Sequence, residues 1–201
     1  MTAKEIYQKY KTPPNLQTHL LRVGSLASFI ARNWADDDLD LDALTKSALL
    51  HDLGNIIKFN FDDSRIRLGT VEDISYWKKV QAEMIEKYGP DEHIATNKVC
   101  QEIGVDEKTL FLLSHTGFSR YEEIEKSNNW ELKVLTYSDH RTSPNRIIPL
   151  RERLDEVINR YRAEGRKSSH TSEKAPHLVD LALKVEKQIQ AKVKFDLGQI
   201  D

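Results

Sequence analysis

The dipeptide His51-Asp52 closes the apolar run 43–50, with single histidines at 19, 93 and 115 and an aspartate at 139 on either side of it. An imidazole and a carboxylate can grip one divalent ion, and further His and Asp side chains can complete its shell. Neighbours on a helix diverge by about 100°, so a His-Asp pair converges on one point most easily where the backbone leaves the helix. Gly54 supplies that break. Asp and His are seldom buried without partners, so their position directly after Ala48-Leu49-Leu50 needs a reason, and a metal is one. A hydrogen-bonded pair that simply closes a helix is another, and the dipeptide alone does not separate the two.

The surroundings add weight. His19 borders a stripe of apolar residues at 16, 20, 23, 26, 27 and 30, which recur at helical spacing. Asp139 follows the apolar run 132–137 at a helix end, where a carboxylate can point inward or serve as an ordinary helix-end charge. His93 falls in the first turn of a helix beginning near Pro90-Asp91, and His115 follows Leu110-Phe111-Leu112-Leu113-Ser114. Each of these alone also fits a surface or core histidine. Taken together they give the order His19, His51-Asp52, His93, His115, Asp139.

That order resembles the HD-domain superfamily of metal-dependent phosphohydrolases. The motif stretch Ser47-Ala48-Leu49-Leu50-His51-Asp52-Leu53-Gly54 is similar to the family's, and so is Tyr137-Ser138-Asp139-His140-Arg141-Thr142-Ser143-Pro144 with the following 148–154. The likeness spans residues 14–163. It implies an all-α HD-domain bundle in which His19, His51, Asp52 and Asp139 bind a first metal. In binuclear members the histidines between the HD pair and the last Asp bind a second metal, with the Asp of the pair bridging; His93 and His115 match them in order. Two positions depart from the pattern. Many members carry a Lys three residues after the Asp, where this chain has Asn55 and its nearest lysine is Lys58; many binuclear members have paired histidines where His115 is followed by Thr116-Gly117. The same superfamily contains mixed-valent di-iron oxygenases such as myo-inositol oxygenase, and a non-catalytic ligand sensor would keep the same fold.

The chemistry follows from the residue types. One or two divalent ions (iron, manganese, cobalt, nickel, zinc or magnesium) lower the pKa of water from 15.7 towards about 7, which favours in-line attack on phosphorus. A second ion about 3.5–4 Å from the first would clamp the phosphoryl oxygens. Asp52 is therefore counted as catalytic as well as metal-binding. Cations near the motifs that could neutralise the developing charge are Arg22, Lys58, Arg120, His140 and Arg141. Arg22, three residues after His19, and Arg141, two after Asp139, are expected in the pocket as catalytic residues. The reading is hydrolysis of a small phosphomonoester or phosphodiester, with nucleotides among the candidates.

Composition limits the partners. With 30 Lys and Arg against 32 Asp and Glu the net charge is -2, which gives no global attraction to long nucleic acids or anionic membranes. The lone Cys100 excludes an intrachain disulfide and reads as a packed thiol. Residues 1–5 lack an apolar signal core and no apolar run approaches about 18 residues, so a cytoplasmic protein is expected.

Periodicity predicts helices over 2–10, 14–34, 41–52, 72–88, 91–103, 106–114, 119–126, 130–138, 149–163 and 176–194, with little strand alternation. The acidic cluster 36–40 reads as a solvated turn, and 55–71 as a long polar loop that could act as a substrate lid. Residues 1–163 are expected to form the metal-binding domain. Residues 164–176 read as a flexible link to a last amphipathic helix, which packs on that domain or forms a homodimer contact.

Overall fold

The computed structural model describes residues 1–36, 38–62, 68 and 73–200. Among them the chain forms helices α1 (Ala3–Lys9), α2 (Pro14–Arg32), α3 (Leu41–Leu50), α4 (Ile74–Tyr88), α5 (Glu92–Glu102), α6 (Glu107–His115), α7 (Tyr121–Lys126), α8 (Trp130–Arg141), α9 (Leu150–Ala163) and α10 (Ala175–Gln190). No strand occurs among the described residues, only isolated bridges at Trp34–Val193 and Thr142–Ile147. No helix of the described residues is long and apolar enough to cross a membrane.

Side-chain caps written into the sequence set the helix starts. The carboxylates of Asp40, Asp73, Asp91 and Asp106 and the amide oxygen of Asn129 accept hydrogen bonds from first-turn N–H groups of α3, α4, α5, α6 and α8. Pro14 opens α2, where its missing N–H costs nothing. The acidic cluster is thus partly a cap: Asp40 serves α3, Asp38 accepts from the Trp34 indole at 2.8 Å, and Asp36 pairs with Lys192.

Two apolar clusters form the interior. One gathers Val23, Leu26, Ala27 and Ile30 of α2 with residues of α3, α6, α7, α8, α9 and α10. The other gathers Leu16 and Leu20 of α2 with α1, α4, α5, Leu50 and Leu53. Helices α2 and α3 therefore pass from one cluster to the other between Leu20 and Val23 and between Ala48 and Leu50. His19 and His51 stand beside that seam. The apolar face of α10 (Leu178, Leu181, Ala182, Val185, Ile189) is buried inside the first cluster.

Three elements differ from expectation, each for a local reason. Helix α8 continues to Arg141 instead of ending at 138, because Thr142 donates through its N–H to Asp139 O (3.0 Å) and through its hydroxyl to Ser138 O (2.8 Å). The loop after the HD pair starts with an ordered 3-10 turn, Asn55–Lys58, whose Asn55, Ile56 and Ile57 are buried and whose carbonyl end is held by the Gln81 amide. The lid expectation rests mainly on residues 63–67 and 69–71, which lie outside the described residues. The link 164–176 is not loose: Gly165 leaves α9 with φ +64°, and Ser169–Thr171 form a 3-10 turn tied by Thr171 Oγ1 to Arg166 O at 2.7 Å.

Gly54 is required by closeness rather than by backbone angle. A Cβ there would lie 2.4 Å from Glu92 O, because the turn after His51-Asp52 is pressed against the start of α5 and donates Gly54 N–H to Thr96 Oγ1 at 2.9 Å. Gly54→Ala is expected to cost about 1–3 kcal/mol, a fall of roughly 2–4 °C per kcal/mol in melting temperature. An unchanged melting curve would contradict this packing.

Candidate metal centre

Helix α2 brings His19, the end of α3 brings His51, and the last turn of α8 brings Asp139 to one point, with Asp52 beside them. The ring nitrogens His19 Nε2 and His51 Nε2 lie 3.4 Å apart, and Asp139 Oδ1 lies 3.1 Å from the first and 3.4 Å from the second. Asp52 Oδ2 is 3.8 Å from both. The His51 side chain is 2% exposed, whereas those of His19, Asp52 and Asp139 keep 19–25% and open onto a cavity.

The spacing of His19, His51 and Asp139 fits a cation, with Asp52 slightly outside it. Ligand bonds of about 2.1 Å give donor–donor edges of about 3.0 Å at octahedral angles and about 3.4 Å at tetrahedral ones. His51 Nδ1 donates to Ala48 O at 3.0 Å, which leaves the Nε2 lone pair of the neutral ring facing the cluster. The electrostatics agree. Burial works against a charged His51, yet the Asp52 and Asp139 carboxylates outweigh it and raise its pKa to about 9. Burial likewise opposes ionisation of Asp139, but the neighbouring imidazoles hold it well below the usual carboxylate range. The cluster attracts positive charge, and without a metal a proton takes that place. Imidazole nitrogens with carboxylate oxygens suit zinc, iron, manganese, cobalt or nickel.

The cavity above the cluster has a volume of about 800 Å³. On one side are Asn55 and Lys58. The Asn55 amide donates to Asp52 Oδ2, and Lys58 Nζ lies 3.6 Å from Glu92. Burial disfavours the Lys58 ammonium, but the charges of Asp52 and Glu92 more than compensate and raise its pKa. Helix α9 and the segment after it add Arg153, Arg160, Tyr161, Arg166, Lys167 and His170 to the lining. The His170 ring stacks on Phe118 at 4.1 Å and meets Tyr161 edge-on at 5.2 Å. Burial lowers its pKa to about 3, so it is a neutral wall residue.

Helical geometry explains the residues that do not join the cluster. Two residues on a helix turn by about 200°, so once α8 includes both, Arg141 points away from Asp139. Arg141 is buried on the far side, where it donates to Ile148 O, Tyr137 Oη, Leu197 O and Ile200 O. Arg22 shares the His19 side of α2, but its guanidinium reaches the carbonyls of Ser143 (3.2 Å) and Pro144 (3.0 Å) and does not line the cavity. His93 stands at the cavity rim, 62% exposed, with Glu92 at 3.7 Å. His115 folds back on its own helix, stacked on Phe111 at 4.1 Å, with Nδ1 against Phe111 O and Ser114 Oγ. Neither is brought to the cluster. Cys100 is fully buried in the second apolar cluster, and burial pushes its thiol up to about 12.

Residues 16–104 match a protein-family model, that of the HD domain. This match supports membership of the HD-domain superfamily. No curated protein and no solved structure matches it. HD domains are typical of metal-dependent hydrolases. The matched span holds His19, His51 and Asp52, and α8 supplies Asp139 from outside it. The lining contributed by α9 and the segment after it also comes from outside the HD match. A stripe on α9 could have revealed it in the sequence, since Arg153, Leu154, Val157, Arg160 and Tyr161 recur at helical spacing.

Proposed function

We propose that this HD protein is a metal-dependent phosphohydrolase, cleaving a small phosphomonoester or phosphodiester at one divalent ion held by His19, His51, Asp52 and Asp139. The convergence of His19, His51 and Asp139, with Asp52 beside them, at a cationic cavity carries the reading. An ion held there supplies a Lewis acid that lowers the pKa of water from 15.7 towards about 7. The chain's own residues do the rest. Asn55 orients Asp52 towards the cluster, and the Lys58 ammonium beside it faces the position of a phosphoryl group.

Anion selection is supported by the lining, in which six cationic side chains (Lys58, Arg120, Arg153, Arg160, Arg166, Lys167) stand against three acidic ones (Asp52, Glu92, Asp139). The whole chain carries -2, so this positive balance is local. Arg120, Arg153 and Arg166 are braced by Glu123, Glu156 and Glu164 at 2.6–2.9 Å, which fixes their orientation while spending part of their charge. A volume of about 800 Å³ accommodates a mononucleotide-sized substrate.

The test is metal analysis of protein purified without added ions, with hydrolysis of nitrophenyl phosphate and bis(nitrophenyl) phosphate followed as metals are removed and restored. About one ion per chain, with activity lost on chelation and recovered with manganese, cobalt or nickel, is expected. An EPR signal of a mixed-valent iron pair would move the assignment to an oxygenase. Nucleotide binding without turnover across all metals would make the protein a sensor.

A further inference from the structure

His140 follows Asp139 on α8 and also lines the cavity, although neither the metal cluster nor the cationic wall uses it. Its Nδ1 faces inward, 2.8 Å from the hydroxyl of Tyr121, a residue with no exposed surface. Burial raises the Tyr121 pKa well above its usual value, so the hydroxyl keeps its hydrogen and must place it. Among the described residues, His140 Nδ1 is the hydrogen-bond partner of that hydroxyl. Had Nδ1 carried the imidazole hydrogen, the phenolic one would be stranded in the core. The arrangement that satisfies both groups has Tyr121 Oη–H donating to Nδ1, which puts the ring hydrogen of neutral His140 on Nε2.

Among the described residues, that Nε2–H has no protein acceptor in reach. Asp139 Oδ2 lies 3.8 Å away, too far for a hydrogen bond, and the ring is otherwise held by edge contact with Phe118 at 6.0 Å. The His140 side chain keeps 12% exposure, on a residue that lines the cavity. It is a polar donor, locked from behind, beside the cation site.

We propose that His140 donates its Nε2–H to an oxygen of the bound substrate, and that Tyr121 is the positioning residue that fixes this tautomer. Under the phosphohydrolase reading, on which the identity of that oxygen rests, it is a phosphoryl oxygen. A fixed donor aimed at developing negative charge acts mainly in the transition state, so it contributes to kcat more than to KM.

Two measurements test this on the full chain. Long-range 1H–15N correlation spectra of metal-free protein labelled at histidine should show His140 as the Nε2–H tautomer, and Tyr121→Phe should convert it to a mixture with Nδ1–H. An Nδ1–H form in the wild type, or a tautomer untouched by Tyr121→Phe, overturns the proposal. With metal and nitrophenyl phosphate, His140→Leu should lower kcat by roughly 100-fold with little change in KM, and His140→Gln, which keeps a side-chain N–H, should recover about tenfold. Metal content and melting temperature are measured on each variant, and kcat within threefold of wild type for a folded, metal-loaded His140→Leu also overturns it. If the wild type hydrolyses no phosphate ester, the phosphohydrolase reading falls by itself, and the spectra alone decide for or against the His140 assignment.

Discussion

Asp139→Asn will abolish metal retention and lower hydrolysis by roughly three orders of magnitude or more, while the helical fold survives. The carboxylate Oδ1 is the acidic oxygen nearest the two imidazole nitrogens, at 3.1 and 3.4 Å, so it would share one coordination shell with them. An amide of the same shape keeps the packing of α8 but brings no charge to offset a dication. Lewis-acid stabilisation worth several kcal/mol is then lost, at about 1.4 kcal/mol for each factor of ten. Asp52→Ala should act in the same direction but retain more metal, because its oxygen stands 3.8 Å from both nitrogens. Metal content by plasma emission spectrometry and kcat/KM on nitrophenyl phosphate check both. Full activity in either variant would remove these carboxylates from the centre.

The loss should also be visible without a substrate. In the metal-free protein His51 keeps a proton because Asp52 and Asp139 lie beside it, against the pull of burial. Asn at 139 removes one of those charges, so the His51 pKa should fall from about 9, and a histidine titration followed by NMR reads that shift directly.

Much of this architecture was legible in the sequence because its signals are local. Aspartate caps, Pro14 and the 3.6-residue apolar period placed the helices to within a few residues, and His19, His51, Asp52 and Asp139 stood out because polar side chains beside apolar stripes need partners. What was not legible depends on long-range packing or on where a helix ends. Nearness to Asp139 in the chain puts Arg141 in the pocket only if the backbone turns at 139; three more helical residues reverse its direction. His93 and His115 kept the order of a second metal site, but one stays exposed at the rim and the other binds its own helix. His170 lies in a Ser- and Lys-rich stretch that reads as solvated linker. Only the aromatic slot between Phe118 and Tyr161, made by residues far away in the chain, draws it into the wall.

Replacing Arg141 will destabilise the protein without emptying the metal centre. Its guanidinium is 1% exposed at the C-terminal end of α8, where the helix dipole favours a cation. It donates to Ile148 O and Tyr137 Oη on one side and, at 2.9 and 2.8 Å, to Leu197 O and Ile200 O of the C-terminal segment on the other. Glu186 lies behind Tyr137; burial raises its pKa, with the Tyr137 hydroxyl and the Arg141 charge pulling the other way. Arg141→Leu fills part of the volume but leaves three carbonyls and a phenol without their donor. Each orphaned buried group costs about 1–3 kcal/mol, and some regain water as residues 197–200 detach, so a net loss of about 3 kcal/mol is expected. At roughly 2–4 °C per kcal/mol, that is a fall of about 6–12 °C in melting temperature, with faster amide exchange at the C-terminus. Metal content per folded molecule and KM should stay at wild-type values, because the side chain never reaches the cavity. A pocket cation would give the opposite pattern, with an intact melting curve and a kcat lowered by orders of magnitude.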